Sequence, residues 1–356
     1  MKDKTKVLVA MSGGVDSAAS ATLLLQAGYL PVGVTMILHG TEDGDVCGAS
    51  KEAEDAHALA QALGFEHHTI DCREAFSHNV ISPFVHSYES GATPNPCILC
   101  NRTMKFGRLL EYARDIGCEK IATGHYARVG YDSETGKYTL LRSKNEKKDQ
   151  TYVLYFLTQD ELSHILLPLG EFTSKDEVRA VVGAVREENA TKKESQDICF
   201  IPDGDYASFI EAHTGKRYPE GDFIDLSGRV LGRHRGLIHY TVGQRKGLGI
   251  ALGEPMYVKE KSIENGTVTL CRNEDLFSSS CLVSEVSFVS GEMPTEALRC
   301  TVKTRYSAKE LGATLSPPDE NGTIKVTFDT PVRAVTRGQS AVFYSGEVVL
   351  GGGIIQ

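Results

Sequence analysis

No stretch of the chain approaches the roughly 20 consecutive apolar residues needed to span a bilayer. The charged opening Met1-Lys2-Asp3-Lys4 runs into an apolar strand pattern with no signal-type core. A membrane span and a secretory leader are thereby excluded on this reading, and a soluble, cytoplasmic protein without a membrane partner is expected. Internal repeats and low-complexity tracts are also missing. The nine cysteines, an odd number scattered over 356 residues, do not make the dense framework of a small secreted domain. They are expected to be reduced thiols, some of them working. The excess of acidic over basic side chains, a net charge of −9, argues mildly against a nucleic-acid partner but leaves local patches open. The length leaves room for two or three domains of ~150 residues.

One absence helps define a motif. Directly after the apolar run Val7-Leu8-Val9 stand Ala10, Met11, Ser12, Gly13, Gly14, Val15, Asp16 and Ser17. The glycines allow a tight turn, and a helix expected over Ser17 to Ala27, closed by Gly28, would aim unpaired N–H groups at a phosphate. Ser12 and Ser17 add hydroxyl donors, and Asp16 can cap the helix or hold Mg2+. The lysine that ends a Walker A loop is not there, which disfavours cleavage of the β–γ bond. The octet resembles instead the SGGxDS loop of the ATP pyrophosphatases, which split ATP between the α and β phosphates and adenylate a substrate oxygen.

Around this loop the pattern alternates between strand and helix. Strands are expected over 6–11, 30–36, 65–70 and 120–123, with helices near 50–63 and 104–116 stopped by Gly64 and Gly117. That spacing predicts an α/β domain with a parallel sheet covered on both faces and ligands at the carboxyl ends of its strands. A hairpin over 128–142, turning at 134–136, a charged loop at 144–149 and helical patterns over 152–166 and 176–188 follow. After about residue 203 the texture turns to short strands such as 255–260, 266–271, 341–344 and 347–350, and the last ~80 residues are expected to form a small antiparallel barrel or sandwich.

Between Leu226 and Gly253 no acidic residue occurs, while Arg229, Arg233, Arg235, Arg245 and Lys246 stand among seven glycines, His234 and His239. Arg299, Lys303, Arg305 and Lys309 flank Tyr306. Charge interleaved with aromatics and glycine suits a phosphate backbone and an unstacked base, although a solvated basic β surface would read the same way. Two thiols three positions apart, Cys97 and Cys100, follow a turn stiffened by Pro94 and Pro96, just before the helix expected from Met104, whose N-terminus would lower a thiol pKa. Half of a zinc site is the other reading, weakened by the lack of a second CxxC or CxxH. Cys199, flanked by apolar residues, is either a buried hydrophobic cysteine or a working one.

Taken together the chain resembles, from end to end, the bacterial tRNA 2-thiouridylases that modify the wobble uridine. The resemblance rests on SGGVDS at 12–17, TPNPCILCN at 93–101, ATGHYAR at 122–128, KDQTYVL at 148–154, SQDICF at 195–200, YTVGQRKGLGI at 240–250 and RGQSAVFY at 337–344. It implies a parallel-sheet ATP pyrophosphatase (PP-loop) domain with a helical extension over 1–202, a small β-rich central domain over 203–275 and a C-terminal antiparallel β-barrel over 276–356. It also implies ATP and Mg2+ as cofactors, with Ala10 through Ser17, Met36 and Gly124 at the nucleotide and no separate metal site. Tyr306, Arg305, Gln339, His125, Lys148, Asp149 and Gln150 would contact tRNA, and Asn95, Pro96 and Cys97 the target base. Cys100 would be the nucleophile, and Cys199 would carry a persulfide from a cysteine desulfurase or a sulfur-relay protein. DNA is not an expected partner.

Two departures stand out. Cys97 replaces an aspartate frequent in relatives, and Met256 a frequent tryptophan, in a chain that has no Trp. The first opens a second sulfur mechanism, a 4Fe-4S cluster on Cys97, Cys100 and Cys199. Two further classes share parts of the pattern. A small-molecule PP-loop ligase would need neither the paired cysteine sites nor the acid-free basic stretch, and a non-enzymatic RNA-binding module would be expected to lose the loop serines or the thiols.

Overall fold

The computed structural model describes residues 4–40, 49–183 and 198–356. The charged opening at 1–3, the end of the helical pattern at 184–188 and Ser195-Gln196-Asp197 lie outside them. Its first sheet is wholly parallel, in the order β3 (His67–Asp71), β2 (Leu30–Ile37), β1 (Lys6–Ala10), β4 (Lys120–Ala122) and β7 (Ile165–Leu166). Val7, Leu8 and Val9 have no solvent exposure, as a strand covered on both faces requires. Helix α1 (Val15–Gln26) lays Ala18, Ala19, Ala21 and Leu24 against the sheet. After β1 the chain builds outward through β2 and β3, then returns to the other side of β1 with β4. The strand order therefore reverses between β1 and β4, and the crevice at their carboxyl ends is where such a sheet binds ligands.

Two expectations about helices need correction. The helix expected from Met104 starts at Pro96 and continues to Asp115, with a π-helical stretch over Asn101–Arg108. Pro96 takes the first helical position, where its missing N–H costs nothing, and the Asn95 side chain accepts from the Cys97 N–H at 3.1 Å. The 152–166 pattern is not one helix. Tyr152 through Leu157 are buried in and beside a 3-10 turn, and a new helix starts only at Gln159, set by a capping box of Thr158 and Glu161.

The central segment begins with a helix missing from the sequence reading, Tyr206–Thr214, capped by the Asp205 carboxylate on the Ser208 N–H. A four-stranded sheet follows, in the order β10 (Tyr257–Ser262), β11 (Thr267–Cys271), β8 (Gly221–Ile224) and β9 (Val230–His234). The C-terminal strands β12 (Phe277–Phe288), β15 (Ile324–Arg333), β14 (Leu311–Leu315), β13 (Leu298–Lys303), β16 (Ser340–Ser345) and β17 (Val348–Ile355) close into an antiparallel barrel, because the far half of β12 leaves β15 and pairs with β17. The hairpin of β5 (Ala127–Asp132) and β6 (Lys137–Arg142) adds to the outer side of β17 at Leu140 and Leu141. Barrel residues Val342, Tyr344 and Val349 thus share one core with Leu8, Ile121 and Tyr152.

Candidate active site

The octet turns where β1 ends. Gly13 has a left-handed φ of 68°, and a Cβ there would stand 2.7 Å from the Glu52 carbonyl oxygen, so only glycine fits. Gly14 is the helix N-cap and supplies no side chain, leaving the N–H groups of the first turn of α1 open to an anion. Ser12 is exposed and available. Ser17 is buried, and its hydroxyl donates to the Gly14 carbonyl at 3.1 Å, so it braces the loop. Asp16 does not cap α1. Its Oδ1 accepts from the Tyr126 hydroxyl and from the Lys175 ammonium, each at 2.6 Å. Lys175 stands 159 positions away with no local pattern to announce it.

Gly124 lies at the end of β4, against this loop. A Cβ on it would meet the Asp16 carbonyl carbon at 2.9 Å and the Ser17 nitrogen at 3.1 Å. Met36, half-buried at the end of β2, completes the crevice wall from the other side of β1. Ala10, Met11 and Val15 belong to the packed floor. The open N–H groups and the carboxylate suit ATP phosphates and a divalent cation by charge.

The second half of the site is built from thiols. Cys97 and Cys100 share one face of the first helical turn, three positions apart. Cys97 is exposed and Cys100 buried. Cys199 is exposed beside Phe200, which is anchored edge-on to Phe76 and Phe84 at ring distances of 5.6 and 5.5 Å. The residue is thus exposed where its neighbour Phe200 is buried. The three sulfurs influence one another's charge. Desolvation, then Cys100 and Cys97, push the Cys199 thiol up to about 11, opposed by Lys105. Burial also raises Cys100 and Cys97, again opposed by Lys105. The expected lowering by a helix end is thus overturned, because desolvation in the cleft outweighs it. Among the described residues no three His, Cys, Asp or Glu side chains are grouped to hold a single metal ion.

Several residues expected at RNA face inward. His125 is 7% exposed, bonded through Nδ1 to Thr123 Oγ1 at 2.8 Å, and held neutral by burial and by Lys105. The Asp149 carboxylate accepts from the Ser143 N–H at 3.0 Å and the Thr151 hydroxyl at 2.6 Å, and Gln150 Oε1 accepts from the Tyr126 N–H at 2.9 Å. These side chains shape the loop from within. Lys148 is half-buried. Gln339 donates to the Thr93 carbonyl at 2.7 Å, and the Thr93 N–H donates to the Arg337 carbonyl at 2.9 Å, so a barrel turn clamps the loop that carries Asn95, Pro96 and Cys97.

Arg305 is exposed, and Tyr306 is 44% exposed with its ring edge-on to Tyr152 and close enough to Cys97 to feel its charge. In the central domain Arg229 and Arg233 pair with Asp225 and Asp222, and His234 is buried. The acid-free stretch is therefore not acid-free in space. Arg235, Arg245 and Lys246 stay exposed without an ion pair among the described residues.

Family models match three consecutive parts of the chain: a tRNA methyl transferase HUP domain over residues 5–203, a tRNA methyl transferase PRC-barrel domain over 207–272 and an aminomethyltransferase beta-barrel domain over 278–355. The tRNA-specific 2-thiouridylase MnmA of Acetivibrio thermocellus is 46% identical over 359 residues, covering 99% of this chain and 99% of that protein. The protein of the same name from Clostridioides difficile is 46% identical over 356 residues, covering 99% and 98%. Among solved structures, a 4-thiouridine synthetase–RNA complex with bound ATP is 17% identical, covers 59% of this chain and 50% of that chain, and has a TM-score of 0.39, too slight a likeness to argue from.

Proposed function

The chain belongs to the tRNA-specific 2-thiouridylase family, and from that premise we propose that it adenylates the C2 oxygen of the wobble uridine and replaces that oxygen with sulfur delivered by Cys199. The supporting observation is the segment 123–126. Its Gly124 backs the phosphate loop, its Tyr126 holds Asp16, and its His125 feels Lys105 beside the thiols. The segment thus links the phosphate loop to the helix that carries Cys97 and Cys100, through the His125 ring against Phe106 at 5.7 Å.

The uridine C2 oxygen is a poor leaving group. Transfer of AMP to it, with loss of pyrophosphate into the loop of Ser12 through Ser17, makes it a good one. Asp16 would help hold Mg2+, which would supply positive charge against the phosphates. The terminal sulfur of a persulfide on Cys199 attacks C2 and AMP departs, leaving the base joined to Cys199 through a disulfide. Thiolate from Cys100 then attacks the Cys199 sulfur, which frees 2-thiouridine and forms a Cys100–Cys199 disulfide. An external dithiol reduces that bond, and a persulfide donor reloads Cys199. Tyr306 and Arg305 would receive a splayed base and its backbone, at small cost for an unpaired anticodon nucleotide.

The test separates the two half-reactions. Pyrophosphate release should require tRNA and vanish in Asp16→Ala, whereas Cys199→Ser should keep tRNA-dependent release and lose thiolated uridine by mass spectrometry. Release of equal rate without tRNA would indicate a small-molecule ligase and overturn the reading.

A further inference from the structure

The phosphate loop is entered through the Met11–Ser12 peptide, and that peptide is held at both ends. The Met11 carbonyl accepts from the Thr35 hydroxyl at 2.7 Å, and the Ser12 N–H donates to Ser17 Oγ at 3.2 Å. Thr35 is buried on β2, and its Oγ1 also lies 2.9 Å from Nε2 of His67, the first residue of β3. A hydroxyl has one hydrogen and a carbonyl can only accept. The Thr35 hydrogen therefore goes to Met11, and His67 Nε2 carries the hydrogen that it donates to Thr35. On the other side of the peptide the Ser17 hydroxyl donates to the Gly14 carbonyl at 3.1 Å. The donors thus all point one way, from His67 through Thr35, the Met11–Ser12 peptide and Ser17 to the N-cap of α1. Each bond in such a chain polarises the next.

Packing makes the chain possible. His67 stands opposite Gly33 in the register of β2 and β3, and Gly33 and Thr35, two positions apart, share one face of β2. A Cβ on Gly33 would stand 2.9 Å from His67 Cδ2 and 2.7 Å from Met11 Sδ, so the missing side chain is what lets the imidazole reach Thr35 with Met11 beside it. His57, on the helix Ala49–Leu63, meets the His67 ring edge-on at 5.7 Å. Burial, then His57 and His68, hold His67 down at about 4, so at neutral pH the ring is uncharged and has the one N–H the chain needs. The Met11 N–H donates to the Val34 carbonyl at 2.8 Å, which ties the other side of the same residue to β2.

We propose that Thr35 and His67 are positioning residues of the phosphate loop, fixing the direction of the Met11–Ser12 peptide so that the N–H groups beyond it converge on the pyrophosphate part of ATP. Both act through the Met11 carbonyl. Without the Thr35 hydroxyl the peptide can rotate, and only the fraction of molecules that keep the loop in its binding form takes phosphate, which weakens the apparent affinity by that fraction. The proposal takes from the proposed function only that this loop holds phosphates.

Isothermal titration with ATP, pyrophosphate and AMP in the presence of Mg2+ tests it. Thr35→Val keeps the side-chain shape and removes the hydroxyl; it should bind ATP and pyrophosphate about tenfold more weakly, and AMP within about twofold of wild type. Thr35→Ser restores the hydroxyl and should return all three to within about twofold. His67→Phe leaves the Thr35 hydroxyl its acceptor but not its direction and should lose about threefold for ATP, whereas His67→Gln, which keeps an N–H donor, should stay within about twofold. Thermal melting checks folding, and the two His67 variants decide the matter if Thr35→Val does not fold. Unchanged ATP and pyrophosphate affinity in folded Thr35→Val would overturn the proposal. An equal loss for AMP would also overturn it, by making Thr35 a packing residue, as would a Thr35→Ser protein no better than Thr35→Val. Wild type that binds ATP and pyrophosphate yet thiolates no tRNA would sink the proposed function and leave this positioning standing.

Discussion

Gly124→Ala tests the nucleotide crevice with a single carbon. The added methyl would stand 2.9 Å from the Asp16 carbonyl carbon, 3.0 Å from the Asp16 Cβ and 3.1 Å from the Ser17 nitrogen. These atoms form the start of α1, whose packing on the sheet leaves little freedom to yield. Overpacking of this kind costs about 1–3 kcal/mol. Without nucleotide the loop can relax outward by a fraction of an ångström, but phosphate binding requires the original direction of the N–H groups, so most of the cost falls on the bound state. At 1.4 kcal/mol per tenfold, ATP affinity should fall about 5- to 150-fold. Equilibrium binding of a non-hydrolysable ATP analogue reads this directly, and iodoacetamide labelling of Cys199 should stay within twofold of wild type as a control on the fold. ATP affinity unchanged in a folded Gly124→Ala protein would show that the end of β4 does not touch the nucleotide site.

The other expectations concern RNA and sulfur. Arg305→Ala should weaken tRNA binding, flatten its salt dependence by ~1 phosphate and leave ATP affinity unchanged; an unaltered salt slope would make Arg305 ordinary surface. Cys97→Asp should keep thiolation within about tenfold of wild type, because a carboxylate in the first helical turn is favoured by the helix dipole and by nearby Lys105. If anaerobically prepared wild type instead holds about four irons per chain and this variant loses both iron and thiolation, sulfur chemistry by persulfide is wrong for this protein.

What could be read from the chain is what local chemistry dictates. The phosphate loop is legible because its glycines, hydroxyls and adjoining strand are neighbours in sequence, and the parallel sheet because buried strands and amphipathic helices alternate. Lys175 escaped because its partnership with Asp16 exists only after the sheet is assembled. Nothing in the residues from Asn101 to Arg108 signals a π turn. Asp149 and Gln150 looked like polar loop residues offered to RNA, yet their side chains answer backbone N–H groups that would otherwise be buried without partners. The 203–275 stretch read as β throughout because its opening helix is a short one beside many glycines.

The clamp between Gln339 and Thr93 bears on how the protein is made. Its two ends are 246 positions apart in the chain. At ~5–20 residues per second, a ribosome that has finished the thiol loop works roughly another 12 to 50 s before the clamping residue is added. During that interval the loop bearing Cys97 lacks the turn that fixes it, Leu140 lacks its neighbour on β17, and the core around Leu8 and Tyr152 lacks Val342, Tyr344 and Val349. The thiol loop is therefore fixed only late in synthesis, and a product truncated before Gln339 lacks its clamp.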